Sequence, residues 1–223
     1  MSKQILEYET IVLNIIREYL NQNRFFTLEK IIPYINVRLK KYSIQLNYEG
    51  IKRILESLIK KKQILERSKL TKQTLLENEN RKKIYDYICN HPGVYFNQIA
   101  RKLYISNYIL AWHIKMLLKF GYIRSKIIEN HEVFFDKNLN HEYDEIYFLL
   151  SKKKSKEIIN FLIKQENGAT KTAISRVLKM HTNTVSKYIK KLENNGILKK
   201  IEQKDRTFYH LNYSLYRKII ENK

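Results

Sequence analysis

Residues 170–211, TKTAISRVLKMHTNTVSKYIKKLENNGILKKIEQKDRTFYHL, decide the fold. Thr170 stands where a helix N-cap belongs, and Ile174 and Leu178 recur one turn apart behind it. Lys179-Met180-His181 is a three-residue break. Val185, Ile189 and Leu192 then recur at i, i+4, i+7, the spacing of an apolar stripe on one helix face. Gly196 follows where a left-handed residue stops a helix. Ile197–Gln203 and Thr207–Leu211 are short β-prone runs around the polar tip Lys204-Asp205-Arg206, which predicts a hairpin. Upstream, Ser155 reads as an N-cap, Ile158, Ile159, Leu162 and Ile163 as another apolar stripe, and Gly168 as the end of that helix.

Three helices followed by a hairpin, the second and third joined by a tight turn, make a winged helix-turn-helix. The pattern occurs twice. Displaced by 75 residues, the stretch 80–136 falls on 155–211 without a gap. Ile84, Ile88, Gly93, Ile99, Arg101, Leu103, Ile114, Lys115, Leu117 and Gly121 meet identical residues. Such self-similarity outranks local propensity. The earlier copy predicts Asn80 as N-cap, a break at His91-Pro92-Gly93, a helix over Asn97–Leu103 and a third helix capped by Ser106 and carrying Leu110, Ile114 and Leu117. Its hairpin runs from Ile123 to Asp136 around Glu129-Asn130-His131.

A more divergent copy begins the chain. Ile51, Leu55, Leu58 and Ile64 repeat the spacing of Leu110, Ile114, Leu117 and Ile123. Its helices are predicted over Glu9–Gln22, over Leu28–Leu39 and after an Asn47 cap, with no clear second wing strand after Ile64. The expected fold is mainly α with small β-hairpin wings. Its divisions are 1–76, a divergent winged-helix domain; 77–139, a middle one; 140–152, a connector whose Ile146, Phe148 and Leu150 pack between domains; and 153–223, a last one with a terminal helix.

The 223 residues include 43 Lys plus Arg and 22 Asp plus Glu, a net charge of +21. Residues 151–223 hold 18 basic and 6 acidic side chains, so more than half the excess lies there and a polyanionic partner should be met there first. With 43% hydrophobic residues the chain has enough apolar side chains for packed cores. No run reaches the length of a membrane span, and the single cysteine, Cys89, excludes an internal disulfide or a Cys-based zinc site. Six scattered histidines form no zinc spacing, and no phosphate-binding loop or nucleophile elbow occurs. A soluble, cytoplasmic, nucleoid-associated protein that is not an enzyme, with no cofactor and no metal, is the expectation.

Ala111-Trp112-His113-Ile114-Lys115-Met116-Leu117 and Thr184-Val185-Ser186-Lys187-Tyr188-Ile189-Lys190-Lys191-Leu192 resemble the recognition helices of MarR- and ArsR-type regulators. Asn195-Gly196-Ile197-Leu198 with Lys204-Asp205-Arg206-Thr207-Phe208-Tyr209 is similar to that family's helix end and wing. The tandem arrangement resembles archaeal multi-winged-helix transcription regulators. The resemblance implies a DNA-binding transcription regulator. A winged helix also serves as an assembly module in transcription or membrane-remodelling (ESCRT-like) complexes, so the fold alone leaves both open.

In a winged helix the third helix enters the major groove and the wing follows the backbone. The face opposite the apolar stripe of the last domain is Asn183, Ser186, Lys187 and Lys190, flanked by Thr182 and Lys191. Asn reads adenine edges and Lys reaches guanine or phosphate. Thr170 and Lys171 open the second helix, where backbone N–H groups meet phosphate. Lys199, Lys200, Lys204 and Arg206 make the wing basic. In the middle domain the corresponding residues are Asn107, Tyr108, Trp112 and Lys115, suited either to DNA or to an interface. In the first domain Glu49 and Glu56 stand beside Lys52 and Arg53 and oppose groove reading. The partner expected is double-stranded DNA. The terminal helix, with Leu215, Tyr216, Ile219 and Ile220 on one side, either forms a homodimer or docks on its own domain.

Overall fold

Side-chain oxygens cap several of the helix starts. The Asn47 side chain accepts the Gly50 N–H at 2.8 Å, that of Asn78 accepts the Arg81 N–H at 3.0 Å, and the Thr170 hydroxyl accepts the Ala173 N–H at 3.2 Å. The computed structural model describes residues 2–203 and 205–221. The helices are α1 (Ser2–Gln22), α2 (Leu28–Leu39), α3 (Tyr48–Lys60), α4 (Glu79–Asn90), α5 (Phe96–Leu103), α6 (Asn107–Lys119), α7 (Asp144–Ser151), α8 (Lys153–Ile163), α9 (Lys171–Leu178), α10 (Thr182–Asn194) and α11 (Tyr213–Glu221). The strands are β1 (Val94–Tyr95), β2 (Ile123–Ile128), β3 (His131–Asp136), β4 (Leu198–Gln203) and β5 (Arg206–Leu211). The described residues are thus mainly helical with two small antiparallel sheets, in the orders β1-β3-β2 and β4-β5.

Two caps differ from the sequence expectation. α4 starts on Asn78 rather than Asn80, and α8 starts after Lys152, so Ser155 is not a cap but a buried helical residue. Gly168 does not close α8, which ends at Ile163; it turns the chain four residues past the Lys164 cap with φ +66°. α1 begins at Ser2 rather than Glu9.

The chain packs as two units: residues 1–82 with 111–122, and residues 83–110 with 123–223. In the first, α1, α2 and α3 enclose a core around Ile16, Phe26, Ile35, Leu39, Ile51 and Leu55. Glu9 is buried there and accepts the Ser57 hydroxyl at 2.6 Å and the Lys61 ammonium at 2.6 and 2.7 Å. After α3 a single bridge, Ile64 to Thr71, stands where a wing would be. Arg81, 2% exposed, donates to the Leu75 carbonyl at 2.5 Å and lies 5.0 Å from the Trp112 ring centroid.

In the second unit one buried cluster joins Val133 and Phe135 of β3, Ile146, Tyr147, Phe148 and Leu149 of α7, and the apolar stripes of α8, α9 and α10. The expected connector is therefore largely a buried helix. Its anchor is Asp144, 2% exposed, which takes two hydrogen bonds from Arg124 at 2.7 and 2.8 Å. Arg124 also donates to the Leu139 carbonyl at 3.0 Å and covers the Phe135 ring at 4.6 Å. The apolar side of α11 is used internally. Ile219 is buried, Leu215 and Tyr216 pack on the cluster, and the Tyr147 hydroxyl donates to the Ile219 carbonyl at 3.2 Å. Ile220 stays exposed.

The repeat is written into the backbone. α5, α6, β2 and β3 fall residue for residue on α9, α10, β4 and β5. Tyr104 and Lys179 occupy matched positions in the left-handed region, at φ 54° and 50°. The β1–β3 pair Val94 to Phe134 falls on the bridge Ala169 to Tyr209.

Gly93 and Gly168 also match, yet for different reasons. A Cβ on Gly93, at φ +85°, would lie 2.3 Å from the Tyr147 carbonyl carbon, whereas one on Gly168 would meet the end of the His210 ring at 2.7 Å. A ring moves aside; a backbone does not. Gly93→Ala should therefore cost about 2–4 kcal/mol and Gly168→Ala about 1–2 kcal/mol, read by urea denaturation. Asp144→Asn should cost about 3–5 kcal/mol, because it leaves a buried guanidinium without its carboxylate. Equal stability of the two glycine variants would show that the close approach of α7 is not what requires Gly93.

Candidate nucleic-acid interface

α10 takes its direction from its stripe. Val185, Ile189 and Leu192 are fully buried, which turns Asn183, Lys187 and Lys190 outward, where all three are exposed. Thr182 is exposed and Ser186 half-buried on the same side. The helix is capped by His181, whose Nδ1 accepts the Asn183 N–H at 3.2 Å. The Asn183 side chain is not part of that cap and makes no hydrogen bond among the described residues.

The wing and the α9 N-terminus are tied together. Ala169 and Tyr209 exchange backbone hydrogen bonds at 3.1 and 2.9 Å, which seats the start of α9 on β5. The Thr170 hydroxyl is spent on its cap, and the Lys171 ammonium lies 5.5 Å from the Tyr209 ring, so Lys171 is half-buried rather than fully extended. β4 and β5 pair from Leu198–Leu211 out to Gln203–Arg206, and Asp205 takes φ 63° in the turn. Arg206 is exposed beside the turn, and Lys199 and Lys200 are exposed on β4. Lys200 pairs with Glu202 at 2.5 Å across exposed surface, a contact worth little in water. The wing-tip Lys204 lies outside the described residues.

Lys191 is differently placed. At the β2–β3 turn Glu129 and Asn130 both take positive φ, 50° and 63°, the geometry of a two-residue type I′ hairpin. That turn carries the Glu129 carboxylate onto Lys191 with a hydrogen bond, and to 3.9 Å from Lys152. The Lys191 hydrogen bond, aided by the charges of Lys191, Lys152 and Lys187, holds the Glu129 carboxyl below its ordinary range despite partial burial. One expected DNA contact therefore already has an anionic partner within the chain. Sequence reasoning missed Glu129 because the pair spans 62 residues and no local pattern signals it.

Along α6, Asn107, Tyr108 and Lys115 are exposed, Tyr108 at 86%, while Trp112, at 45%, carries the Arg81 guanidinium on its ring. His113 is buried, and burial together with Arg81 lowers its pKa, so it stays a neutral imidazole at neutral pH. On α3, Glu49, Arg53 and Glu56 are exposed and Lys52 is half-buried. Burial pushes the Cys89 thiol up to about 11, leaving it protonated and a poor nucleophile at neutral pH.

Comparison with known proteins identifies the domain that carries α10. Residues 152–199 match the family described as winged helix-turn-helix DNA-binding. This segment is a winged helix-turn-helix domain. The chain is also 30% identical, over 148 residues, to a protein of Methanocaldococcus jannaschii described as an uncharacterized HTH-type transcriptional regulator. That match covers 66% of this chain and 37% of the relative, so the chain spans well under half of the relative's length. The resemblance to winged-helix transcription regulators read from the residues holds in both comparisons. Among the described residues no helix is long and apolar enough to cross a membrane.

The cap assignment separates two roles in the winged helix. His181→Ala should lower stability by about 0.5–2 kcal/mol through loss of the α10 cap, whereas Asn183→Ala should leave the melting temperature unchanged. A drop on replacing Asn183 would return that side chain to a structural role.

Proposed function

We propose that the protein is a DNA-binding transcription regulator that reads duplex DNA chiefly through its C-terminal winged helix. The observation that carries this reading is the outward face of α10. Asn183, Lys187 and Lys190 present a base-reading amide and two cations with no carboxylate among them, beside an exposed Arg206 on the wing. In this reading α10 lies in the major groove, Asn183 meets base edges, Thr182, Ser186, Lys187 and Lys190 flank it, and Lys200, Lys204 and Arg206 follow the backbone. Thr170 and Lys171 approach a phosphate at the start of α9. Lys191 contributes once it leaves Glu129.

The matched ranges of α5, α6, β2 and β3 support reading residues 77–139 as a second winged helix, with Asn107, Tyr108, Trp112 and Lys115 as a lesser DNA-facing set. The three-helix core before residue 76, with Asn47 capping α3, supports a divergent first copy. The exposed carboxylates of Glu49 and Glu56 support keeping that copy off the reading surface. Association through the exposed side of α11 and residence on the nucleoid belong to the same proposal. The chemistry is binding rather than catalysis.

The affinity for a 20-base-pair duplex should fall about 10³–10⁵-fold between 50 and 200 mM salt, as expected for roughly 6–10 neutralised phosphates. Lys187→Ala with Lys190→Ala should weaken binding far more than Lys52→Ala with Arg53→Ala. Arg206→Ala should weaken cognate and scrambled duplex together and reduce the salt slope by about one unit, whereas Asn183→Ala should cost about 1–3 kcal/mol on the preferred site alone. Filter binding reads all four. A flat salt response would contradict the proposal.

Glu129→Gln should strengthen binding and steepen the salt slope by about one unit, since it frees Lys191. The pH dependence has a fixed sign. The Glu129 carboxyl titrates below its ordinary value, so the pair is intact above about pH 4.3 and is lost only as pH falls through the depressed value. Unchanged binding by the Gln variant at neutral pH would show that Lys191 does not face DNA.

A further inference from the structure

Within the second unit, α5, α7, the start of α8, α10 and α11 surround a cleft of about 710 Å³. That volume suits one small organic ligand. Six cations border it: Arg101 and Lys102 from the end of α5, and Lys152, Lys153, Lys154 and Lys156 from the start of α8. Among the described residues no carboxylate lines it. Tyr87, Tyr95, Tyr188 and Tyr216 supply aromatic walls, and Tyr87 is stacked on His91 with centroids 4.3 Å apart.

The lysines stand where a helix least wants them. A helix N-terminus carries a partial positive charge and is stabilised by anions, yet α8 has no acidic residue in its first turn, and its cap residue Lys152 offers no side-chain acceptor. Lys152 is the extreme case. Its side chain is 19% exposed and its ammonium sits 4.0 Å from the Phe148 ring centroid and 5.7 Å from that of Tyr95, with Glu129 at 3.9 Å. Burial pulls its pKa below that of an ordinary lysine. Among the described residues only Lys153 has a further acidic neighbour, Glu157 at 3.8 Å on its own helix. Four cations at the positive end of one helix repel one another and the helix dipole, and a multiply charged anion at that end relieves both.

We infer that this cleft binds a nucleotide, with its phosphates held by Lys152, Lys154, Lys156 and Arg101 at the α8 N-terminus and its base against the tyrosines. A bare polyanion would leave the aromatic walls unused, and an uncharged planar molecule would leave the cations unrelieved. An aliphatic anion would pack on Val94, Leu150 and Ile159 but would leave the tyrosine rings without a stacking partner.

The test is calorimetric titration of the full chain, without DNA or divalent metal, by ATP, adenosine and tripolyphosphate. Because no DNA is present, failure here is separate from failure of the DNA-binding reading. ATP should bind at least tenfold more tightly than either fragment. Lys154→Gln with Lys156→Gln should weaken ATP at least tenfold, while Lys40→Gln with Lys41→Gln, which removes the same charge from exposed positions in the other unit, should leave it unchanged. Equal affinity for ATP and tripolyphosphate would overturn the inference, since the cleft would then be only a basic surface. Equal losses from the two lysine pairs would overturn it as well, and so would no heat for any of the three.

Discussion

The ion pair of Arg124 and Asp144 is the constraint on which the second unit rests. Two charges are taken out of water together, and each uses more than one hydrogen bond to offset the desolvation. The pair fixes the first residue of α7 to β2. From that anchor α7 drives Tyr147 and Phe148 into a core shared with α8, α9 and α10. Gly93 shows how closely the parts approach, because even a methyl group there would strike the α7 backbone. The winged helix at 152–199 is therefore not a bead on a string. It shares a hydrophobic core with the hairpin before it, and that shared core brings the turn at Glu129 onto Lys191.

This packing has an electrostatic consequence. A chain of charge +21 gains little from one more exposed lysine, so the placement of its few carboxylates shapes the surface. Glu49 and Glu56 stand on the outward face of α3, Glu129 closes off Lys191, and Glu202 sits against Lys200. Asn183, Lys187, Lys190 and Arg206 are among the side chains that remain open on the C-terminal domain. The α8 N-terminus is another concentration of cations, and it borders the cleft.

Much of this was legible in the residues because it is local. The stripe Val185, Ile189, Leu192 and the three-residue break before it mark where α10 starts, and the register of the repeat carries that start to α6. β4 and β5, by contrast, begin at Leu198 and Arg206 rather than at the Ile197 and Thr207 read from the residues. Caps were half legible. Thr170 and Asn47 act as read, but Ser155 and Asn80 do not, because a cap depends on where the backbone leaves the helix and several polar residues compete for the place. β1 escaped notice since two residues carry no alternation. Glu129 and the cleft escaped because they are assembled from distant segments. The buried Arg81 escaped for the same reason: a guanidinium gives no hint in sequence that a carbonyl and a tryptophan ring await it.

The central claim is that duplex DNA is met by α10 and the β4–β5 wing. Amide hydrogen exchange of the full chain, with and without a 20-base-pair duplex at low salt, tests it most directly. The account predicts added protection over the first two turns of α10 and along β4 and β5, with α3 unchanged. Protection concentrated on α3, or none on α10 when the duplex is bound, would contradict it.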